Sequence, residues 1–206
     1  MIDIAKANQQ LAAATPQEII EWTLTNVDKP LVSTHFGPHE AVILHMVTQI
    51  KTGVPVIWVD SGYATRDTYL VAKRLMESLD LNLTVYTPTM TSMRWDCAYG
   101  GIPDVDDERH ERFTELFKLE PFSRAMKEQA PEAWLTAVRK DQTEFRQGIE
   151  VFSHGPNGVV KVAPLLNWNE QDMDAYLQQY ELPNVKNYFD PTKGLNNREC
   201  GLHTQL

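Results

Sequence analysis

Apolar residues in this chain come in short blocks separated by segments of helical period. The blocks "PLVST", "VPVIWV" and "LNLTVY" are near-continuous apolar runs, the pattern of strands covered on both faces. The first predicts a strand at about 31–33, followed by a loop and an apolar helix from Glu40 through "EAVILHMVTQI". After "VPVIWVD" comes "SGY", then helical spacing through "RDTYLVAKRLMESL". Upstream, "TPQEIIEWTLTNV" predicts a helix with Thr15 as N-cap and Pro16 at the first helical position. Three strand-then-helix units within the first hundred residues predict an α/β fold, a doubly wound and mostly parallel sheet with helices on both faces.

The second half continues in the same style. "GIPDVDDERHERFTELFKLEPFSRAMKEQ" is acidic and helical in pattern, and "AWLTAV" is a buried strand that runs into the charged stretch "RKDQTEFR". "VFSHGPNGVVKVAPLLNW" predicts a hairpin turned at Asn157 and Gly158. "NEQDMDAYLQQYEL" predicts a helix capped by Asn167 or Asn169. From Pro183 onward Asn, Pro and Gly are frequent, which predicts a mobile tail. The expected organisation is therefore an α/β domain over residues 1–182 and a tail over 183–206.

Composition narrows the classes. A chain of 206 residues, 42% hydrophobic and 23% charged, suits one domain with a sizeable core. A formal charge of −9 argues against nucleic acid as the main partner, although a local cluster of cations and amides still binds a small anion. Two cysteines, Cys97 and Cys200, are too few for a disulfide framework or a four-thiolate metal site. The N-terminus has no basic start followed by an apolar core, and no apolar run reaches membrane-spanning length. The expectation is a cytoplasmic protein with reduced thiols and no membrane contact.

Four stretches offer chemistry. In "STHFGPHE", a strand enters a loop with Ser33, Thr34 and Gly37 and then a helix N-terminus, which is either an anion cradle of backbone N–H groups or an ordinary βα turn. Its histidines and His45 invite a metal reading, but His39 and His45 sit about 120° apart around a helix, and His45 in "VILHMV" also reads as a hydrogen-bonded core residue. In "SGYATRDTY", Asp60 and Arg66 stand at a strand's carboxyl end. They either contact a nucleotide there or, for Asp60 and Ser61, cap the next helix. In "RKDQTEFR", Arg139, Lys140 and Arg146 follow a buried strand and suit bidentate phosphate binding, or form a solvated run neutralised by Asp141 and Glu144. In "RECGLH", Arg198 and His203 favour the thiolate of Cys200 while Glu199 opposes it. That thiol is a nucleophile or an incidental cysteine near a chain end.

Together these stretches resemble the phosphoadenylyl-sulfate (PAPS) reductase family, from about Leu31 to His203. "STHFGPHEAVILH" is similar to the family's modified pyrophosphate loop, "VDSGY" to its second-strand motif, and "RKDQTEFR" to its Arg-x-x-Gln-x-x-x-Arg run. "LEPFSRAMKE" and "VKVAPLLNW" resemble the flanks of that run, and "ECGLH" resembles the segment bearing the catalytic cysteine.

The resemblance implies an adenine-nucleotide α-hydrolase-like (HUP-type, pyrophosphate-loop) fold, commonly dimeric. It implies Cys200 as the catalytic nucleophile with His203 beside it. It further implies substrate contacts from Ser33, Thr34, Phe36 and Gly37, from Asp60 and Gly62, from Arg139, Lys140, Gln142 and Arg146, and from Lys193 and Arg198. The reaction implied is reduction of PAPS to sulfite and adenosine 3′,5′-bisphosphate through an S-sulfocysteine, with thioredoxin or glutaredoxin as electron donor. A branch acting on the substrate without the 3′-phosphate carries an iron–sulfur cluster on a Cys-Cys pair and a Cys-x-x-Cys pair, and neither pair occurs here; the resemblance therefore points to the cluster-free branch, with no bound cofactor or metal. Departures are His35 and Pro38-His39 in a loop the family fills with serine, "ATRD" after the second-strand motif, and a short run before Cys200. They leave open a related enzyme acting on another adenylylated or sulfonated compound, or a non-catalytic nucleotide-binding module.

Overall fold

The computed structural model describes residues 2–193. The chain opens with helix α1 (Ile4–Gln10) and helix α2 (Pro16–Asn26). Strand β1 (Pro30–Thr34), helix α3 (Glu40–Ile50), strand β2 (Pro55–Val59), helix α4 (Arg66–Leu79) and strand β3 (Asn82–Tyr86) follow. Helix α5 (Ser92–Tyr99) leads to helix α6 (His110–Thr114), a π turn (Glu115–Leu119) and helix α7 (Glu120–Gln129). Strand β4 (Ala133–Leu135) enters two 3₁₀ turns (Lys140–Gln142 and Glu144–Gly148). Strands β5 (Phe152–His154) and β6 (Val160–Val162) and helix α8 (Glu170–Gln179) complete the order.

The six strands form one sheet in the order β3-β2-β1-β4-β6-β5. All neighbours are parallel except the β5–β6 hairpin. Alternation along β1 explains the layers. Val32 faces the larger cluster with Val42, Val56 and Leu135, while Leu31 faces the opposite side with Ile57, Phe122 and Trp134. Helices cover both faces, as the unbroken apolar runs require. The hairpin turns where Asn157 (φ 55°) and Gly158 (φ 82°) take left-handed backbone, the conformation an Asn-Gly pair tolerates best.

Sequence periodicity missed two helices. α1 is short, and its value is tertiary: Asn8 accepts from the backbone N–H of Phe152 at 2.9 Å and donates to its carbonyl at 2.8 Å, closing one edge of the sheet. α5 buries only Trp95 fully, so its apolar stripe is too thin to register. The middle stretch expected to be helical in pattern is helical from His110 to Gln129, interrupted by the π turn. Pro121 lacks the N–H that would continue the i→i−4 ladder, and the wider turn absorbs the lost bond.

The expected tail is corrected in part. Residues 183–193 pack on the domain, with Val185 and Thr192 buried. Polar composition is compatible with order here because the Lys186 and Asn187 N–H groups donate to Asp67 of α4 and the Asn184 side chain accepts from the His39 N–H. Arg198, Cys200 and His203 lie outside the described residues. Among the described residues no helix is long and apolar enough to cross a membrane.

Of the two expected caps, Asn169 is the one that closes α8. It accepts from the backbone N–H of Asp172 at 3.1 Å, while Asp172 accepts from that of Asn169 at 2.9 Å. Asn169→Ala should lower stability by about 1 kcal/mol in urea unfolding, whereas Asn167→Ala, which removes only an exposed contact to Lys140, should change it little.

Candidate functional site

A cavity of about 480 Å³ opens at the carboxyl ends of β1, β2 and β4. Chain connections leave β1 and β4 toward opposite sides of the sheet, and such a switch point is where doubly wound sheets bind ligands. The floor is apolar: Ile57, Val59, Phe117, Phe122 and Trp134 contribute to it, with Phe122 and Trp134 in ring contact at 4.9 Å. Trp134 donates its Nε1–H to Ser33 Oγ at 2.8 Å. Thr136 also lines the cavity; its hydroxyl is the one buried side-chain polar atom among the described residues with no hydrogen bond.

The β1–α3 loop forms one wall. Thr34 donates to Glu40 Oε2 at 2.6 Å, and the backbone N–H of His35 donates to the same oxygen at 2.7 Å. His35 Nδ1 pairs with Glu40 Oε1 at 2.7 Å. Burial alone would raise the Glu40 carboxyl, but the His35 imidazole beside it and the bonds from His35 and Thr34 outweigh that and hold it below the ordinary range. Two non-glycine residues of the loop, Phe36 (φ 50°) and His39 (φ 66°), adopt left-handed backbone, a conformation costing about 1–2 kcal/mol each. Deep burial of Phe36, edge-on to Trp58 at 5.0 Å, offsets its share. Gly37 has no spare room, since a Cβ there would stand 2.5 Å from the His35 ring and 3.1 Å from Tyr188.

The β2–α4 loop forms the second wall. Asp60 Oδ1 accepts from the Gly62 N–H at 2.9 Å and from the Tyr69 hydroxyl at 2.7 Å. Burial and the Asp60 carboxylate push the Tyr69 phenol well up. Asp60 is not the cap of α4; Thr65 is, accepting from Thr68 at 3.2 Å.

Cations come from the third wall. Arg139 and Arg146 are both buried, although the chain is acidic overall. Arg139 forms a bidentate pair with Asp141 at 2.9 and 3.3 Å. Gln142 accepts from the Arg139 backbone at 3.1 Å and from the Arg146 guanidinium. Lys118, on the π turn, also lines the cavity directly after Phe117.

The roof is the packed part of the expected tail. Asn184 accepts from the His39 N–H at 2.9 Å; Asp67 accepts from the N–H groups of Lys186 and Asn187 at 2.8 and 3.1 Å. Tyr188 lies 5.2 Å from His35, ring to ring. Lys118 Nζ donates to Asp190 Oδ2 at 2.6 Å and to Thr192 Oγ1 at 3.0 Å. Burial would raise Asp190, but Lys118 and the hydrogen bonds from Lys118 and Thr192 dominate and hold its carboxyl far below the ordinary value.

The cavity wall thus gathers Ser33, Thr34, Asp60, Arg139, Gln142, Arg146 and Lys193. Four expected contacts are placed elsewhere: Gly37 lies in the loop behind the wall, against the His35 ring and Tyr188. The Phe36 side chain belongs to the core. Gly62 stands outside the cavity and bonds Asp60 instead. Lys140 turns outward to Asn167 at 3.0 Å, where the backbone passes from extended at Arg139 into the 3₁₀ turn that begins at Lys140. Arg66 is exposed and away from the wall. The three imidazoles do not converge: His35 meets Glu40, His39 meets Asp174 at 2.9 Å, and His45 meets Tyr176 at 2.9 Å in the core. Glu40, Lys118 and Asp190 were not expected. Lys118 had one legible sign, a lone cation between Phe117 and Leu119 in an otherwise apolar run.

Comparison with known proteins identifies the family. The phosphoadenosine phosphosulfate reductase domain matches residues 29–191. The chain is 37% identical over 182 residues to phosphoadenosine 5′-phosphosulfate reductase of Synechococcus sp., covering 87% of this chain and 78% of that one. Its fold superposes on phosphoadenylyl-sulfate reductase from Candida auris in a phosphate complex with a TM-score of 0.78, 25% identity, and 89% and 88% of the two chains covered. It shares fold alone with FMN adenylyltransferase of Candida glabrata, at a TM-score of 0.60, 13% identity, and 88% and 58% coverage.

The depressed Asp190 carboxyl contributes stability that is complete above its ordinary value of 3.8 and is lost as pH falls below it toward the folded-state value. Asp190→Asn should therefore lose about 3 kcal/mol at neutral pH, where it removes the partner of a buried ammonium. The gap from wild type should narrow as the urea midpoints are followed down through pH 3.8. Equal midpoints at neutral pH would contradict the ion pair's role.

Proposed function

Because the chain belongs to the phosphoadenosine phosphosulfate reductase family, we propose that its cavity holds PAPS and that Cys200 reduces it. The enzyme's reaction is reduction of PAPS, with sulfate assimilation as its setting. The observation that carries the site reading is the pairing of an apolar floor with buried Arg139 and Arg146 in a net acidic protein. An apolar, aromatic floor suits a nucleobase, and guanidinium groups suit the phosphates. Asp60, held from two sides, keeps its second carboxylate oxygen available to a ribose hydroxyl. Ser33, Thr34, Gln142 and Lys193 complete the contacts from within the wall; Gly37 acts by letting the His35 ring lie over the loop. Arg198 joins the cations from the segment beyond.

In the first step, the Cys200 thiolate attacks the sulfonate sulfur. An S–S bond forms, the S–O bond to phosphate breaks, and adenosine 3′,5′-bisphosphate leaves with the electron pair. His203 keeps the thiol ionised. A thiolate of thioredoxin or glutaredoxin then attacks Cys200 Sγ, sulfite departs with the S–S electrons, and the donor's second thiol resolves the mixed disulfide to restore Cys200. No cluster or metal takes part; Cys97, exposed on α5, is one of only two cysteines. The packed segment 183–193 supports this reading, because the clasp of Lys118 on Asp190 and Thr192 holds the chain at the cavity rim shortly before Cys200. The protein works as a cytoplasmic homodimer.

Intact-mass analysis after incubation with PAPS should find one sulfonate adduct, on Cys200. Cys200→Ser should keep nucleotide binding but release no sulfite; normal turnover in that variant would refute the assignment. Arg146→Ala should weaken binding of adenosine 3′,5′-bisphosphate by about 1–3 kcal/mol in titration calorimetry, and unchanged affinity would remove Arg146 from the site.

A further inference from the structure

The loop that resembles an anion cradle already has an anion in it. Glu40 takes the hydroxyl of Thr34 at 2.6 Å, the backbone N–H of His35 at 2.7 Å and the imidazole of His35 at 2.7 Å. It does so from the first turn of α3, buried to 6% exposure, on the cavity wall. A neighbouring donor is committed as well: Phe36 N–H donates to Thr34 Oγ1 at 3.0 Å, while Ser33 Oγ accepts from Trp134 and keeps its own O–H for a ligand. The Thr34 and His35 donors that would meet a bound oxyanion are therefore held by Glu40.

We propose that Glu40 is a specificity-determining residue, an internal carboxylate that closes the first loop to small inorganic oxyanions and admits only an anion anchored elsewhere in the cavity. An oxyanion seated on these donors would lie against a carboxylate, and only displacement of Glu40 relieves that like-charge contact. Displacement strips a buried carboxylate of three partners. Sulfate or phosphate seated at the loop has neither a base for the apolar floor nor a second anionic group for Arg139 and Arg146 to offset this. A nucleotide brings its base to the apolar floor and its phosphates to Arg139 and Arg146, so it retains affinity whether or not Glu40 moves. The side chain of His35 is half-exposed at 53%, so its ion pair with Glu40 closes the loop at the cavity mouth, where a free anion would arrive.

The inference rests on the nucleotide reading of the cavity, and its test separates the two. Titration calorimetry would measure inorganic sulfate and adenosine 3′,5′-bisphosphate against wild type, Glu40→Gln and Glu40→Ala, with thermal unfolding as the check on folding. Glu40→Ala should bind sulfate at least about tenfold more tightly than wild type, the worth of one charged hydrogen bond regained, and the preference for the nucleotide over sulfate should shrink. Glu40→Gln keeps the shape and an acceptor while removing the charge, so it should tighten sulfate binding by a smaller factor, and it carries the test if the alanine variant unfolds. Sulfate binding that is unchanged or weaker in the folded variants overturns the proposal. Absence of a Cys200 adduct in wild type with PAPS would instead sink the catalytic reading and leave the sulfate result standing.

Discussion

Three parallel strands, β2, β1 and β4, end side by side, and the loops that leave them diverge because β1 connects toward β2 while β4 lies on its other flank. That divergence is a property of the strand order and leaves a cleft at the carboxyl ends without any further device. Among the described residues, the candidate site residues are placed relative to this cleft. Ser33 and Thr34 are the last residues of β1, Asp60 follows β2, and Thr136 and Arg139 follow β4. Parallel pairing needs coverage on both faces, so the apolar runs that build the sheet also place an aromatic floor beneath the site.

The cleft becomes a cavity through two features that are local in sequence and distant in effect. Pro121 interrupts the helix that precedes β4, and the π turn it imposes brings consecutive residues Phe117 and Lys118 onto the cavity wall. Lys118 then meets Asp190 and Thr192 from a segment far along the chain. The floor, the cation and the roof are thus linked through one side chain.

Charge within the cavity is arranged as pairs, not as an open positive field. Arg139 is matched by Asp141, Lys118 by Asp190, and His35 by Glu40. Paired charges keep a buried polar cluster stable without ligand, since each desolvated ion has its counter-ion and hydrogen bonds. They also set terms for a substrate, which must offer more than one anionic group to compete with carboxylates already in place.

Much of this was legible in the sequence. Strands β1 to β3, helices α2 to α4 and α8, and the Asn157-Gly158 turn follow from periodicity and capping chemistry, which depend only on near neighbours. So did Arg139, Arg146 and Asp60 as cavity residues, because a polar residue just beyond a buried strand has few other places to go. Three things were decided by tertiary structure alone. The order of residues 183–193 comes from Asp67, Thr65, His39 and Lys118, none of which is near in sequence. The outward turn of Lys140 and the inward turn of Arg139 differ by one residue of backbone conformation, which composition does not encode. The closure of the first loop by Glu40 requires left-handed backbone at Phe36 and His39, and those angles are held by packing against Trp58 and by Asn184. Local sequence determines which segments become strands and helices because their hydrogen bonds close within the segment or its hairpin. The site forms from side chains that meet only after the sheet is assembled, and their pairing is a property of the assembled space.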